Sequence, residues 1–288
     1  MKFIDIKGTS FLMGAVDEEG FPEDHERPRA KVSMNDFEIG DTPVTNADFK
    51  IFVDETGYIS EAEIAGWSFV FYSLVEEKSK EKAQSVKQLP WWRLVKGASW
   101  NHPFGPYSGI DDILNHPVVH VSRNDALAYC KWSKTRLPSE AEWEFAARGG
   151  ANDLIYPWGS ELEEGGAYHA NTWQDLFPSN NNAADGFIGT APVYTYQPNA
   201  FGLYQVIGNV WEWCSNPRGI PLTEFQNKSS IDFWRKNNFY SENEYAMRGG
   251  SFLCHCSYCN RYRLGARNGN TANSTSSNVG FRVVREEI

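Results

Sequence analysis

The stretch SFLCHCSYCNRYR, residues 251–263, gathers three of the chain's five cysteines within six positions, with a histidine between two of them and arginines just behind. The spacing over 254–259 is C-x-C-x-x-C, and four chemistries compete for it. A structural zinc site wants four Cys or His ligands, commonly as two paired clusters. Here one cluster stands, with His255 and His169 as recruits. A thioredoxin-like redox pair sits near a βαβ unit, whereas CSYC runs into NRYRLGAR (260–267), whose alternation reads as a strand. Buried inert thiols are the plain alternative, although the stretch is polar. The fourth is a soft monovalent metal. Thiolates select Cu(I), which two sulfurs can hold with positions left over for a third sulfur and for dioxygen, and such a site can oxidise a thiol. The glycine pair at 249–250 makes sense if a peptide backbone approaches closely there.

Outward from this stretch, bulk properties narrow the function classes. The chain has 288 residues, 41% hydrophobic and 15% aromatic, with eleven tryptophans. A chain of this size buries roughly 75% of its unfolded surface, and this composition excludes disorder throughout. The net charge of −10 argues against nucleic acid as partner, because phosphate binding needs a basic face. It is compatible with a cationic substrate, a bound cation or plain solubility. The start, MKFIDIKGTSFLMG, lacks the apolar run of a signal peptide, and no window approaches 18 apolar residues, so no membrane partner is expected. Five cysteines, with Cys130 and Cys214 isolated, do not form the framework of a small secreted domain. A reducing cytoplasm is the expected compartment.

Three segments read as helices. TNADFKIFVDET (45–56) opens with cap-type Thr45 and Asn46 and carries Phe49, Phe52 and Val53 at helical spacing. SRNDALAYCKWSK (122–134) has Ser122 as cap. SEAEWEFAARGG (139–150) has the capping box Ser139/Glu142, an apolar stripe of Trp143, Ala146 and Ala147, and Gly149 as its end. KVSMNDFEI (31–39), YAMRGGSF (245–252) and VGFRVVRE (279–286) read as strands. Residues 76–89, charged and poor in large apolar groups, read as a solvated loop within a single domain spanning 1–288. Long loops in a compact domain usually mean function or bound ions, since irregular backbone needs partners for its polar groups.

MRGGSFLCHCSYCNRYRLGARN followed by SSNVGFR closely resembles the C-terminal core of the formylglycine-generating enzymes. Further blocks follow in the family's order across almost the whole chain: FLMGAVDEEGFPEDHERP, PWWRLVKGASWNHPFGP, HPVVHVSRNDALAYCKW, RLPSEAEWEFAARGG and NAFGLYQVIGNVWEWC. RLPSEAEWE and GNVWEW recur in the wider superfamily, whereas PWW…HPFGP and the C-x4-C after RGGSF are specific. The resemblance implies an α+β fold, a single-domain variant of the C-type-lectin-like fold with little regular secondary structure. It implies a copper(I)-dependent oxidase that uses O2 to convert the cysteine of a Cys-x-Pro-x-Arg segment, in an unfolded or nascent sulfatase polypeptide, to Cα-formylglycine. Cys254 and Cys259 would hold Cu(I), the substrate thiol would join as a third ligand, and O2 would activate at the metal and take hydrogen from the substrate Cβ. Ser251 and Trp211 would line the oxygen and substrate pocket, with His255, Tyr258 and Asn278 as neighbours.

Structural Ca2+ follows by the same resemblance. Asn171 and Asp185, with the carbonyls of Thr172 and Phe187, match one calcium set. Gln205 and Glu212, with the carbonyls of Gly208 and Val210, match a second. Hard oxygen donors of this kind are what Ca2+ accepts. Four positions depart from the pattern: Gln205 replaces a usual Asn, Cys256 stands where relatives carry Lys or Glu, Arg123 replaces Trp, and CSNPRGIPLTEFQNKSS (214–230) lacks a tryptophan-rich continuation. On a strand, residues 254 and 256 would share a face, bringing Cys256 beside the metal pair. The rival reading is a non-catalytic binding member of the same superfamily, which has no need of C-x4-C. An iron-dependent member would need an H-x3-H-x-E cluster that is missing here.

Overall fold

The computed structural model describes residues 1–225 and 244–285. Its helices share one starting device. α1 (Asn46–Thr56), α2 (Glu61–Ala65), α3 (Arg123–Ser133) and α4 (Glu140–Ala147) each begin on a reciprocal capping box: Thr45/Asp48, Ser60/Glu63, Ser122/Asp125 and Ser139/Glu142. Each box satisfies two otherwise orphaned backbone donors. The three expected helices form within a residue or two of their expected bounds. α2 was not expected, because five residues are too few to show a period; its signal was SEAE at 60–63, the same tetrapeptide that starts the α4 segment at 139–142.

α4 corrects the stripe expected of it: all eight of its residues are buried, Glu140 and Glu144 included. Each carboxylate is matched by arginine. Glu144 lies 2.7 Å from Arg148 and 2.5 Å from Arg248, and Glu140 lies 2.7 Å from Arg267 and 3.3 Å from Arg248. Burial alone would raise both carboxyls, but the arginine charges hold them below the ordinary range. Removing one partner of such a buried pair costs about 3–5 kcal/mol.

The described strands are short: β1 (Phe3–Ile6), β2 (Ser10–Met13), β3 (Ala30–Ser33), β4 (Phe37–Gly40), β5 (Trp67–Phe71), β6 (Gln84–Val86), β7 (Leu89–Lys96), β8 (Glu163–Glu164), β9 (Ala167–Tyr168), β10 (Trp211–Pro217), β11 (Glu244–Arg248), β12 (Asn268–Thr271), β13 (Val279–Gly280) and β14 (Val284–Arg285). They form sheets β1-β4-β14, β12-β11-β10-β13, β5-β7-β6, β2-β3 and β8-β9. Four expectations change. KVSMNDFEI is two strands, since Met34–Asp36 break the run between β3 and β4. VGFRVVRE splits between two sheets, with Glu286 outside the described residues. YAMRGGSF ends as a strand at Arg248, because Gly249 and Gly250 take φ of 94° and 75°. NRYRLGAR is irregular, and the strand begins only at Asn268. Residues 76–89 are largely exposed but ordered, as a 3-10 turn Glu77–Lys82 and β6, which pairs with β7.

Two consequences position the site. β10 pairs in parallel with β13, with Trp211 opposite Val279, so Trp211 lies beside Asn278. β11 ends at the glycine pair and delivers the loop 251–259 over a satellite apolar cluster of Phe71, Trp173, Phe252 and Leu253.

Candidate active site

Loop 251–259 is wound tightly enough to join its two ends. Cys254 N donates to Ser251 O at 2.9 Å, and the carbonyl of His255 accepts from the backbone N–H groups of Tyr258, Cys259 and Asn260 at 2.9–3.1 Å. This turn brings Cys254 and Cys259 side by side, with sulfurs 2.6 Å apart, unbridged, and only 2% and 6% of each residue exposed. Gly249 and Gly250 are required by the protein's own packing. A Cβ on Gly249 would meet Val206 O at 2.9 Å, and one on Gly250 would meet Tyr262 Cα at 3.0 Å.

The two thiols titrate in opposite senses. Burial drives Cys254 well above the ordinary thiol range, and Cys259 pushes it the same way. Burial would raise Cys259 too, but the hydrogen bond from Cys254, the Arg261 backbone N–H and the Arg261 guanidinium hold it below that range. Of the two, Cys259 is the sulfur that gives up its proton more readily.

These sulfurs form part of the floor of a cleft of roughly 490 Å³. One wall is aromatic: Phe69, Trp91, Trp92, Phe177 and Tyr258, with Val86 and Leu89 from the β6–β7 turn. Tyr258 stacks on Phe177 at 4.4 Å and meets Trp91 edge-on at 5.0 Å. A polar part of the lining is built from β12 and the segment up to Asn278, which runs beside Phe69. Ser251 Oγ accepts from Asn278 Nδ2 at 2.9 Å, Asn278 Oδ1 accepts from Ser276 Oγ at 2.8 Å, and Trp211 N donates to Asn278 O at 2.9 Å. Ser251, Trp211, Tyr258 and Asn278 thus share the cleft with both thiols.

His255 and Cys256 stand apart from it. The loop is a turn, not a strand, so residue 256 does not share the face of residue 254, and neither His255 nor Cys256 lines the cleft. His255 Nδ1 accepts from Ser257 N at 3.2 Å, and the exposed Cys256 sulfur lies 3.7 Å from Nε2. Among the described residues no three His, Cys, Asp or Glu side chains converge as metal ligands, so a tetrahedral zinc set is not assembled; His169 stacks on Trp158 instead. What the pair offers is two adjacent soft donors with one side toward the cleft, a donor set that fits a thiophilic monovalent ion.

The oxygen sets lie next to one another. Asn171 Nδ2 donates to Gly189 O at 2.8 Å, leaving Oδ1 buried without a partner, while Asp185 accepts from Thr172 N at 3.0 Å and Phe187 N at 3.1 Å. Gln205 Nε2 donates to Pro192 O at 2.5 Å, so its Oε1 faces away, and it too is buried and orphaned. A buried orphan acceptor beside hard oxygens fits Ca2+. The second set fits less well, because Glu212 already accepts from Trp143 at 2.7 Å and from Arg282 at 2.6 and 2.8 Å. Gly208 locks the sets together: a Cβ there would strike Asn171 O at 2.4 Å.

Beyond Tyr258, sequence reasoning gave no role to the aromatic wall, and none to Arg261, although PWW at 90–92 and the arginines behind the cysteines were visible signals. Arg123 packs its guanidinium over Tyr245 at 3.7 Å and donates to Ser215 O at 2.8 Å, a packing role. Residues 226–230 of the divergent segment lie outside the described residues.

Residues 1–287 match the family described as sulfatase-modifying factor enzyme 1-like domain. A formylglycine-generating enzyme of Thermomonospora curvata is 45% identical over 286 residues, covering 99% of this chain and 93% of the relative. An inactive C-alpha-formylglycine-generating enzyme 2 of Bos taurus is 42% identical over 286 residues, covering 98% and 87%. The solved structure of PvdO from Pseudomonas aeruginosa superposes with a TM-score of 0.71 at 25% identity, covering 99% of this chain and 94% of that one.

Proposed function

The chain belongs to the sulfatase-modifying factor enzyme 1-like family, the formylglycine-generating enzymes, and on that premise we propose that it oxidises the cysteine of a Cys-x-Pro-x-Arg segment in a sulfatase polypeptide to Cα-formylglycine, with O2 as oxidant and Cu(I) held by Cys254 and Cys259. The observation that carries this reading is the pair of unbridged, buried thiols 2.6 Å apart in the floor of an open cleft. A binding member with no redox task has no use for two free sulfurs there.

Bound copper would supply a centre at which a thiolate and dioxygen meet. The remaining work falls to the cleft's own side chains. The aromatic wall binds the peptide and excludes water, and Ser251, fixed by Asn278, presents its hydroxyl to the reacting region. Any proton that Cys254 holds must leave when both sulfurs bind metal. Converting a thiol carbon to an aldehyde removes two electrons and expels sulfide, whereas O2 reduced to water accepts four. The other two come from a reducing thiol, which leaves as disulfide. The calcium sets would cross-link loops 171–187 and 205–212 without entering the chemistry. Among the described residues no helix is long and apolar enough to cross a membrane, and we place the reaction in a reducing cytoplasm, where free thiols persist.

The test is incubation of Cu(I)-loaded protein with a synthetic Cys-x-Pro-x-Arg peptide in air with a thiol reductant, followed by mass spectrometry of an aldehyde trapped with a hydrazide. Turnover is expected for the parent, none for Cys259→Ser, and most of it for Cys256→Ser. Full activity in Cys259→Ser would remove the pair from the mechanism.

A further inference from the structure

The cleft carries an unusual charge balance for a protein of net charge −10. Apart from the two thiols, one of its lining residues among those described bears a formal charge at neutral pH, and it is a cation, Arg261. Its placement is enforced. Nε donates to Asp24 Oδ2 at 2.5 Å, and the guanidinium lies 4.1 Å over the Phe21 ring. From that clamp Arg261 lines the cleft together with Cys254 and Cys259, two residues along the chain from Cys259.

Asp24 does not explain the arginine by itself. Its fully buried carboxylate also meets Arg218 at 3.3 Å, and the other acid of this group, Glu244, is 45% exposed. Two guanidinium groups thus face one buried carboxylate, with the second acid out in solvent, where its field is screened. A cuprous ion between two thiolates carries one net negative charge. A substrate thiol that joins as thiolate, its proton passing to solvent, brings the total to two. Negative charge gathered away from water is costly unless a cation lies beside it.

We propose that Arg261 is the counter-charge of this sulfur centre, setting how tightly the substrate thiolate joins Cys254 and Cys259 while leaving recognition of the rest of the peptide to the cleft walls. The inference rests on the functional reading above and assigns a residue to it.

Silver(I), a thiophilic monovalent ion without oxygen chemistry, isolates binding from turnover. Silver-loaded protein is titrated with the Cys-x-Pro-x-Arg peptide and with its serine analogue. The parent should prefer the cysteine peptide strongly. Arg261→Gln alone strands Asp24, so the informative variant is Asp24→Asn/Arg261→Gln, which removes both charges and keeps the shapes. It should bind one silver ion within about threefold of the parent affinity and bind the serine peptide unchanged. Its affinity for the cysteine peptide should fall at least about tenfold, or 1.4 kcal/mol. Arg261→Lys, which keeps the charge, should recover most of that loss. Equal losses for both peptides, or none for either, would make Arg261 a structural partner of Asp24 and overturn the proposal. A parent that binds no silver, or does not distinguish the peptides, would instead overturn the sulfur-centre reading on which it stands.

Discussion

His120 links a single side chain to the stability of the cleft. It is fully enclosed, with backbone φ of 59°. Its Nε2 lies 2.8 Å from Pro103 O, which can only accept, so that nitrogen carries the proton. Its Nδ1 then accepts from Ser68 Oγ at 2.8 Å, and Ser68 in turn lies 2.8 Å from Thr275 Oγ1. The chain of bonds ends beside Ser276 in the polar wall. Burial pushes the imidazole down to about 4, against the smaller upward effect of its bond to Pro103. The unfolded chain therefore binds this proton more readily than the native one, and stability falls as pH drops from about 6.5 toward 4. The share due to His120 is about 2 kcal/mol between pH 7.5 and pH 5. Urea unfolding at the two pH values should show it, and His120→Gln, less stable at neutral pH, should lack that part of the slope. An unchanged slope would mean that the ring takes up its proton as readily in the native state as in the unfolded one.

At the scale of elements, the β6–β7 hairpin illustrates what the sequence could and could not reveal. The cysteine pair came from the family pattern, because the residues alone left several chemistries open, although the hydrogen bonds to His255 O that close the turn are local. One capping box, Ser139/Glu142, was legible from its four residues, and Thr45 and Ser122 were read as caps alone. The hairpin was not legible, since its apolar residues only make sense opposite Phe177 and Tyr258, nearly ninety and more than one hundred and sixty positions away. The split of 279–285 between two sheets was equally hidden, because it depends on which strands wait beside each half. Trp91 lines the cleft as part of its wall rather than as a sulfur donor, so Trp91→Ala should weaken peptide binding more than chemistry. Removing a large aromatic anchor of this kind typically costs more than about 1 kcal/mol. KM for the peptide should therefore rise about fivefold to tenfold with kcat within about threefold. A fall confined to kcat would place Trp91 in the reacting geometry instead.

For the molecule as a whole, the question is what holds long irregular loops when strands contribute so few backbone bonds. Part of the answer is buried polar pairing: Arg148, Arg248, Arg263 and Arg282 are each at most 2% exposed and each meets a buried glutamate. Side-chain amides supply more, as where Asn209 spans both the N–H and the carbonyl of Ala191 at 2.8 and 3.0 Å. Among the oxygens left over are those of Asn171 and Gln205, whose desolvation is uncompensated unless a cation or a water meets them. Calcium at about a hundred times its dissociation constant would stabilise the fold by about 2.7 kcal/mol, or about 5–10 °C in Tm. Chelation with EGTA should lower Tm by that amount, and added Ca2+, but not Mg2+, should restore it. Asn171→Ala should abolish the response. Gln205→Ala should leave most of it, because Glu212 in that set is already neutralised by Arg282. Parent protein whose Tm ignores EGTA, with no calcium retained after dialysis, would show instead that the two amide oxygens are satisfied by water.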